Sequence, residues 1–333
     1  MSDEARPAPT PGPDRTQQDS AVDRDQILDE REDLIDAEES IGSAGPSEGE
    51  RRAADALRDV EAAPGVAKPD PILVASNVTR RFGGLKAVDV DHLEIQRGTI
   101  TALIGPNGAG KSTFFNVLSG FDQPNTGTGT FNGRPLKGLP AYKIARLGMV
   151  RTFQLTKALM RLTTLENMML GATAQRGESL WVAPLRFLWN GQEEQIRARA
   201  EVLLERFRLS HMRDEFAGTM SGGQRKLLEM ARALMVDPDM IMLDEPMAGV
   251  NPALTQSLLG HIQALRDEGK TVVLVEHDMD VIMSISDWIV CFAQGAVIAE
   301  GRPADISANP AVIEAYLGSR STDRGSGEGQ ESR

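Results

Sequence analysis

A glycine-rich segment, residues 105–112, has the residue types that bind phosphate groups. It reads Gly-Pro-Asn-Gly-Ala-Gly-Lys-Ser and matches the pattern G-x-x-x-x-G-K-S/T. Glycines let backbone N–H groups turn inward around phosphate oxygens, a lysine neutralises the outer phosphates, and a serine hydroxyl is a magnesium ligand. Because an apolar run (100–104) precedes it and a helix-compatible run (113–119) follows, the sequence predicts a nucleotide-binding site. The residues predicted to bind the nucleotide here are Gly105, Pro106, Asn107, Gly108, Ala109, Gly110, Lys111, Ser112 and Thr113.

Two carboxylates, Asp244 and Glu245, follow a second apolar run at residues 240–243. If that run is a strand of the same sheet, its end places both carboxylates beside the phosphate loop. Asp244 is then expected to bind magnesium together with Ser112, and Glu245 to act as a base or to polarise water. Taken alone, the pair is equally well interpreted as a charged strand end, and the phosphate loop is what favours catalysis.

His277 follows Glu276 at the end of the next apolar run, residues 271–275. A histidine at the end of a neighbouring strand can reach a γ-phosphate. A lone histidine in a loop is also commonly a surface residue or a satisfied core residue. The residues by themselves leave both interpretations open.

The elements that must position these groups alternate between strand and helix patterns. Strand patterns separated by helical ones predict a parallel sheet, and the antiparallel-looking start and the long helical block predict subdomains attached to it. The strand-like segments are residues 72–78, 88–95, 100–104, 240–243, 271–275 and 288–292, and the helical block is residues 139–236.

The net charge of −12 is distributed unevenly over the 333 residues. Residues 1–70 contain 19 acidic and 8 basic residues and 7 of the 18 prolines, whereas the remainder has 29 acidic and 28 basic residues. A segment so charged and so poor in apolar side chains cannot bury enough surface to offset its ordering entropy. We therefore expect a disordered acidic tail over residues 1–69, one folded unit over residues 70–318 and a second disordered tail over residues 319–333. The near-neutral body offers no basic face, so no nucleic-acid partner is expected.

No stretch of the sequence approaches the roughly 20 apolar residues that a membrane-spanning helix needs. The first residues lack the basic-then-apolar layout of a secretory signal, and the single cysteine, Cys291, cannot form an intrachain disulfide. These features favour the cytosolic side of a membrane, with any membrane role exerted through a partner.

Residues 220–224, Met-Ser-Gly-Gly-Gln, resemble the LSGGQ signature of the ATPases of ABC transporters, with methionine in place of leucine. A serine is a good N-cap, and the glycines create a second helix N-terminus suited to phosphate. With the phosphate loop and the carboxylates in the family's order, residues 72–318 resemble an ABC cassette. The fold this implies is an α/β P-loop NTPase with a parallel-sheet core, an antiparallel β subdomain and a helical subdomain.

The resemblance implies that ATP and Mg²⁺ bind between two cassettes arranged head to tail, where each phosphate loop faces the other subunit's signature. It assigns adenine stacking to Phe82, magnesium sensing and contact with the membrane partner to Gln154, and the switch-histidine role to His277. Many family members have aspartate where this chain has Asn251, so a mechanism that needs a carboxylate there is in doubt. The signature residues assigned to nucleotide binding are Ser221, Gly222, Gly223 and Gln224.

A finer resemblance, to the ATP-binding subunits of branched-chain amino acid importers, is carried by residues 150–154, 244–252 and 309–318. It implies two transmembrane permease subunits, a second cassette that is identical or related, and an indirect extracytoplasmic solute-binding protein. It also implies a peripheral position on the cytoplasmic face of the cell membrane.

Other members of the family remain alternatives. The C-terminal run also resembles the ATPase of lipopolysaccharide export, and importers of urea or other amides share it. Soluble ABC ATPases act in translation or DNA repair, but the translation type usually has two cassettes in one chain and the repair type a long coiled coil, and neither occurs in this sequence. A nucleotide-binding module without hydrolysis is a third class, against which Glu245 and His277 argue.

Overall fold

The computed structural model describes residues 45–152, 160–173 and 190–316. Every predicted strand is confirmed, and the α/β fold is the one expected from the sequence. The strands are β1 Pro71–Phe82, β2 Leu85–Gln96, β3 Ile100–Ile104, β4 Thr126–Phe131, β5 Arg134–Pro135, β6 Met149–Arg151, β7 Met240–Asp244, β8 Thr271–Val275, β9 Trp288–Ala293 and β10 Ala296–Gly301.

Nine α-helices are bounded within the described residues, together with short 3-10 turns. No helix of the described ranges is both long and apolar enough to cross a bilayer. The helices are α1 Glu48–Ala56, α2 Lys111–Leu118, α3 Ala141–Arg146, α4 Thr164–Met169, α5 Asn190–Arg206, α6 Gly222–Ala233, α7 Pro252–Asp267, α8 Met279–Ile285 and α9 Pro303–Ser307; residues 310–316 form a further helical segment.

The larger sheet has the order β10-β9-β3-β8-β7-β6 and is parallel from β9 to β6, with β10 antiparallel to β9. All five residues of β3 and of β8 are buried. Such continuous apolar strands are typical of a parallel sheet covered on both faces. The smaller sheet, of order β2-β1-β4-β5, is antiparallel.

The core lies on both faces of the parallel sheet, and alternate residues of each strand point to opposite faces. Along β3, Ile100, Ala102 and Ile104 pack with the helices α4, α5, α6 and α7. Leu103 faces the other way and packs with β1, β2 and α2. The strand pattern therefore fixes which subdomain covers which face.

The expectation of a disordered tail is wrong for residues 45–69, which we call the N-terminal strap; residues 1–44 and 317–333 lie outside the described residues. Within the strap, α1 buries Ala53, and Leu57 and Val60 are also buried. Gly49 lets α1 approach the end of α7, because a Cβ there would lie 2.6 Å from the backbone of Asp267. The strap is ordered because its apolar side chains find a surface on the body.

A buried ion pair holds the other end of the strap. Lys68 Nζ donates to Glu300 Oε2 at 2.8 Å, and both side chains are almost completely buried. The same carboxylate accepts from Trp288 Nε1 at 2.9 Å and from the N–H groups of Gly65 and Val66 at 2.6 and 3.2 Å. If the strap is removed, this carboxylate loses its cation and two backbone donors and keeps only the bond from Trp288.

We predict that deleting residues 1–44 leaves the free energy of unfolding unchanged, whereas deleting residues 1–69 lowers it strongly. The second deletion leaves Glu300 buried without its cation, which typically costs about 3–5 kcal/mol. Denaturant unfolding of both truncations measures the difference.

In the full chain, Lys68→Met should reproduce most of that loss. The control is Arg58→Ala, which removes an exposed i,i+3 ion pair with Asp55 and should cost about 1 kcal/mol or less. Equal stability of Lys68→Met and the unaltered chain would contradict an anchoring role of the Lys68–Glu300 pair.

Candidate functional site

The predicted functional groups meet at the carboxyl edge of the parallel sheet. In the ladder Leu103 lies opposite Val275, and Val275 also lies opposite Asp244. Therefore the phosphate loop after β3, the carboxylates at the end of β7 and His277 after β8 share one edge. Ligands bind at this edge in open α/β sheets.

The backbone of the phosphate loop takes conformations that only glycine adopts without strain. Gly105, Gly108 and Gly110 have φ values of 142°, 77° and 101°. A Cβ on Gly105 would lie 2.1 Å from the carbonyl oxygen of Phe292, and one on Gly110 would lie 2.3 Å from that of Ala87. The loop is thus wedged between β9 and β2, which fixes its shape.

Lys111, the first residue of α2, is buried and donates to the carbonyl oxygens of Gly105 and Pro106 at 2.6 and 3.1 Å. Burial lowers the pKa of Lys111, and the nearby carboxylates of Glu245 and Asp244 oppose this shift. Gly110 caps α2 without a side chain. The helix N–H groups and the ammonium group therefore converge on one anion-binding site.

Glu245 and His277 are in direct contact. Nε2 of His277 lies 2.7 Å from Oε1 of Glu245, and an ionised carboxylate only accepts, so the imidazole nitrogen is the donor. Glu245 also has a φ of 49°, a left-handed conformation that is uncommon for a non-glycine residue. Its N–H donates to the carbonyl oxygen of Val275 at 2.9 Å, which ties the loop after β7 to the end of β8.

Glu276 links the two loops that carry Glu245 and His277. Its carboxylate accepts from the N–H of Met247 at 2.8 Å and from the N–H of His277 at 3.2 Å. Burial raises the pKa of Glu276, and these two hydrogen bonds oppose the shift. One buried side chain thus links the loop that carries Glu245 to the loop that carries His277.

Asp244 is paired with Arg151 at the end of β6. Arg151 Nη2 donates to Asp244 Oδ2 at 2.6 Å, and Nη1 donates to Asn116 Oδ1 at 2.6 Å and to Ser119 Oγ at 3.2 Å. The guanidinium group therefore joins the carboxylate to α2, the helix that begins with Lys111. Lysine could not reproduce this forked geometry.

Most of the predicted residues line one cavity of about 770 Å³, within the size range of small-molecule sites. Its wall combines the phosphate loop from Asn107 onward with Glu245 and His277. Phe82 stands at its rim at the end of β1, where 49 % of its surface is exposed. An exposed ring beside a phosphate-binding loop is available to stack on a base.

The signature residues lie apart from this cavity. Ser221 caps α6 in a capping box with Gln224, whose N–H donates to Ser221 Oγ at 3.2 Å while Gln224 Oε1 accepts from the N–H of Ser221 at 2.9 Å. Gly223 packs against Leu254, where a Cβ would lie 1.6 Å from the leucine side chain. Of the other predicted residues, Gly105, Pro106 and Asp244 lie behind the cavity wall rather than in its lining, and Gln154 lies outside the described residues.

Asn251 has a local structural role that its sequence position did not reveal. It is the N-cap of α7, and its Oδ1 accepts from the N–H of Leu254 at 2.8 Å. Asparagine and aspartate cap helices equally well, so the missing carboxylate does not weaken this helix start.

A metal ion at this site would depend on the nucleotide. In the described ranges no group of three or more His, Cys, Asp and Glu side chains converges as a metal site. Ser112 and Asp244 supply one hydroxyl and one carboxylate. Such a sparse oxygen set fits Mg²⁺, which usually keeps several waters and is bound through one or two carboxylates plus substrate phosphates.

A second cavity, of about 400 Å³, opens beside the catalytic edge between β6, α3 and α6, and we call it the side groove. Its lining includes Phe121, Tyr142, Arg151, Thr152 and Arg232. Phe121 and Tyr142 are more than half exposed. Arg151 is therefore shared between the side groove and the Asp244 carboxylate.

Sequence reasoning missed three residues that the geometry brings to the site. Arg151 and Tyr316 lie in the segments 150–154 and 309–318, whose resemblance assigns them no role, and Glu276 directly precedes His277. Tyr316 Oη, at the far end of the described chain, accepts from the N–H of Gly105 at 2.9 Å. A carboxylate directly after a buried strand was a usable signal for Glu276, whereas nothing local pointed to Tyr316.

Comparisons with known proteins agree with this geometry. A family model described as "ABC transporter" matches residues 88–248, and one described as "Branched-chain amino acid ATP-binding cassette transporter" matches residues 296–321. A probable branched-chain amino acid transport ATP-binding protein LivG of Archaeoglobus fulgidus is 41% identical over 252 residues, which cover 76% of this chain and 97% of the relative. The corresponding protein BraF of Pseudomonas aeruginosa is 43% identical over 74% of this chain and 98% of its own length.

Solved structures give the same picture. A nucleotide-free ATP-binding cassette from an ABC transporter aligns with a TM-score of 0.66 and 36% identity over 74% of this chain and 98% of its own. A dimeric ATP-binding cassette in a post-hydrolysis state bound to ADP and Pi aligns with a TM-score of 0.58 and 26% identity over 69% and 98%.

We predict that Glu276→Gln slows nucleotide hydrolysis about 10-fold or more, because the N–H groups of Met247 and His277 bind different carboxylate oxygens and one of them would face an amide NH₂ donor. Steady-state hydrolysis at saturating nucleotide measures the effect, with Glu268→Gln, an exposed carboxylate paired with Arg206, as the matched control. A normal rate in Glu276→Gln would show that Glu245 and His277 are placed without it.

Proposed function

This chain belongs to the ABC transporter family as an ATP-binding cassette that hydrolyses ATP, and we propose that it energises an importer of branched-chain amino acids. The observation that carries the proposal is the similarity to branched-chain amino acid transport ATP-binding proteins at 41–43% identity over nearly their whole length. The match of residues 296–321 to a C-terminal model of the same transporter class supports it independently of the common cassette core.

In the proposed site, the phosphate loop binds the polyphosphate, Lys111 neutralises its outer charge and Phe82 stacks on adenine. Glu245 is the general base or polarises the attacking water, and His277 holds its carboxylate through the 2.7 Å contact. Ser112 and Asp244 would hold Mg²⁺, with Gln154 as its sensor, and the bound ion would supply positive charge beside the phosphates. Orientation and electrostatics, rather than covalent chemistry, then supply catalysis.

Two cassettes, identical or related, are proposed to complete each site. The N-terminus of α6 lies away from its own chain's cavity, with Ser221 and Gly222 exposed. A second, head-to-tail cassette can present this helix end, through Ser221, Gly222, Gly223 and Gln224, to the phosphates bound by the first. ATP would then favour the closed pair because it contacts both subunits only in that state.

We propose that the membrane partner binds in the side groove. This partner would consist of two transmembrane permease subunits, which in turn would bind an extracytoplasmic solute-binding protein. Exposed Phe121 and Tyr142 provide apolar contact, and Thr152 in its lining directly precedes the segment that contains Gln154. The chain would thus lie peripherally on the cytoplasmic face of the membrane.

We predict that Glu245→Gln abolishes ATP turnover but not ATP binding, so that the variant accumulates as an ATP-bound dimer. Size-exclusion chromatography with light scattering measures the dimer, and Ser221→Arg in the same background should disperse it by blocking the signature end of α6. A variant that turns ATP over at the normal rate would exclude Glu245 as the base.

The transport assignment is tested by the complex that co-purifies with the chain from gently solubilised membranes. Reconstituted in vesicles with its companions, it should accumulate leucine, isoleucine or valine when ATP is supplied on the side of the cassette. Uptake of urea, or a companion that exports lipopolysaccharide, would leave the ATPase intact and overturn the solute.

A further inference from the structure

The C-terminal helical segment 310–316 touches the phosphate loop through one side chain. Tyr316 Oη accepts a hydrogen bond from the N–H of Gly105 at 2.9 Å. Val312 of the same segment is buried in the core among the helices, so the segment is anchored independently of the tyrosine. The contact joins the end of the described chain to the first residue of the nucleotide site.

Gly105 is constrained by two hydrogen bonds and by one close backbone contact. Its N–H is bound by Tyr316, its carbonyl oxygen accepts from Lys111 Nζ at 2.6 Å, and the carbonyl of Phe292 leaves no room for a side chain. Gly105 is itself buried. Without the phenolic oxygen its N–H would be a buried donor lacking this partner, and such a group is costly to leave unpaired. A change in the conformation of the loop that exposed this N–H to water would then be favoured.

We propose that Tyr316 is a positioning residue for the ATP site, which holds the first peptide of the phosphate loop in the conformation that receives the nucleotide phosphates. It acts through Gly105, and through the Gly105 carbonyl on Lys111, and it does not touch the reacting atoms. The proposal is independent of the transported solute, because it concerns the purified chain and ATP alone.

Two features of the site favour pre-organisation over simple packing. The hydroxyl group of Tyr316 hydrogen-bonds to the phosphate loop, whereas its ring packs against the core. Burial raises the pKa of Tyr316, and the hydrogen bond from Gly105 opposes the shift. A neutral hydroxyl that accepts from the loop can therefore be removed while the ring stays in place.

Tyr316→Phe tests the proposal. We expect the Kd for ADP and for ATP, measured by calorimetry, to rise about 2- to 10-fold, the effect of one hydrogen bond. The Kd for adenosine, which has no phosphate for the loop to bind, should stay the same. The KM for ATP should rise with Kd while kcat changes little, because the loss applies to ground state and transition state alike.

Two further variants separate positioning from folding. Ile313→Ala changes an exposed side chain of the same segment and should leave nucleotide affinity unchanged. Tyr316→Leu removes the ring as well and should also lower the thermal midpoint. Loss of ATP affinity only in Tyr316→Leu, in step with its midpoint, would reduce the residue to core packing and overturn the proposal. Tighter ATP binding by Tyr316→Phe would also overturn it, since the hydrogen bond would then oppose the bound shape of the loop.

Discussion

The parallel hydrogen-bond ladder that joins β3, β8 and β7 is the constraint on which the site depends. Its register sets Leu103 and Asp244 opposite the same residue, Val275. Since side chains alternate along a strand, a slip by one residue would exchange the side chains packed in the two cores and would move the phosphate loop about 3 Å along the carboxylates. The apolar packing of both faces therefore specifies the catalytic edge as well as the fold.

The charged groups at this edge are held by partners elsewhere in the structure. Lys111, Asp244 and the N–H of His277 each bind a group outside the lining of the cavity: the Gly105 carbonyl, Arg151 and Glu276 respectively. In a site of low dielectric, unpaired charges are expensive and poorly oriented. These partners therefore stabilise a lysine, two carboxylates and an imidazole close together at one edge of the sheet.

The sequence was a good guide to whatever is local. The phosphate loop, the Asp244–Glu245 pair and the N-cap at Ser221 each follow from neighbouring residues, and six strands follow from apolar or alternating runs. The strands β4, β5 and β10 were not predicted, and β6 lies within the block predicted to be helical. The strap was missed because its anchors are distant: Lys68 and Glu300 lie 232 positions apart. A finer charge count would have helped, since residues 1–44 contain 13 acidic and 4 basic residues, whereas residues 45–69 are nearly balanced, with 5 and 4.

The position of the strap determines where a probe can be attached to this protein. It docks at the end of α7, whose first residue follows the loop of the catalytic edge; a helix of 16 residues is about 24 Å long. A fluorophore or surface linker attached at residue 45 would therefore stand about one helix length from the carboxyl edge of the sheet. One attached just after residue 316 would start beside the phosphate loop. For single-molecule or surface-immobilised experiments on this cassette, the strap offers an attachment point away from the phosphate loop, and the helical segment 310–316 offers one beside it.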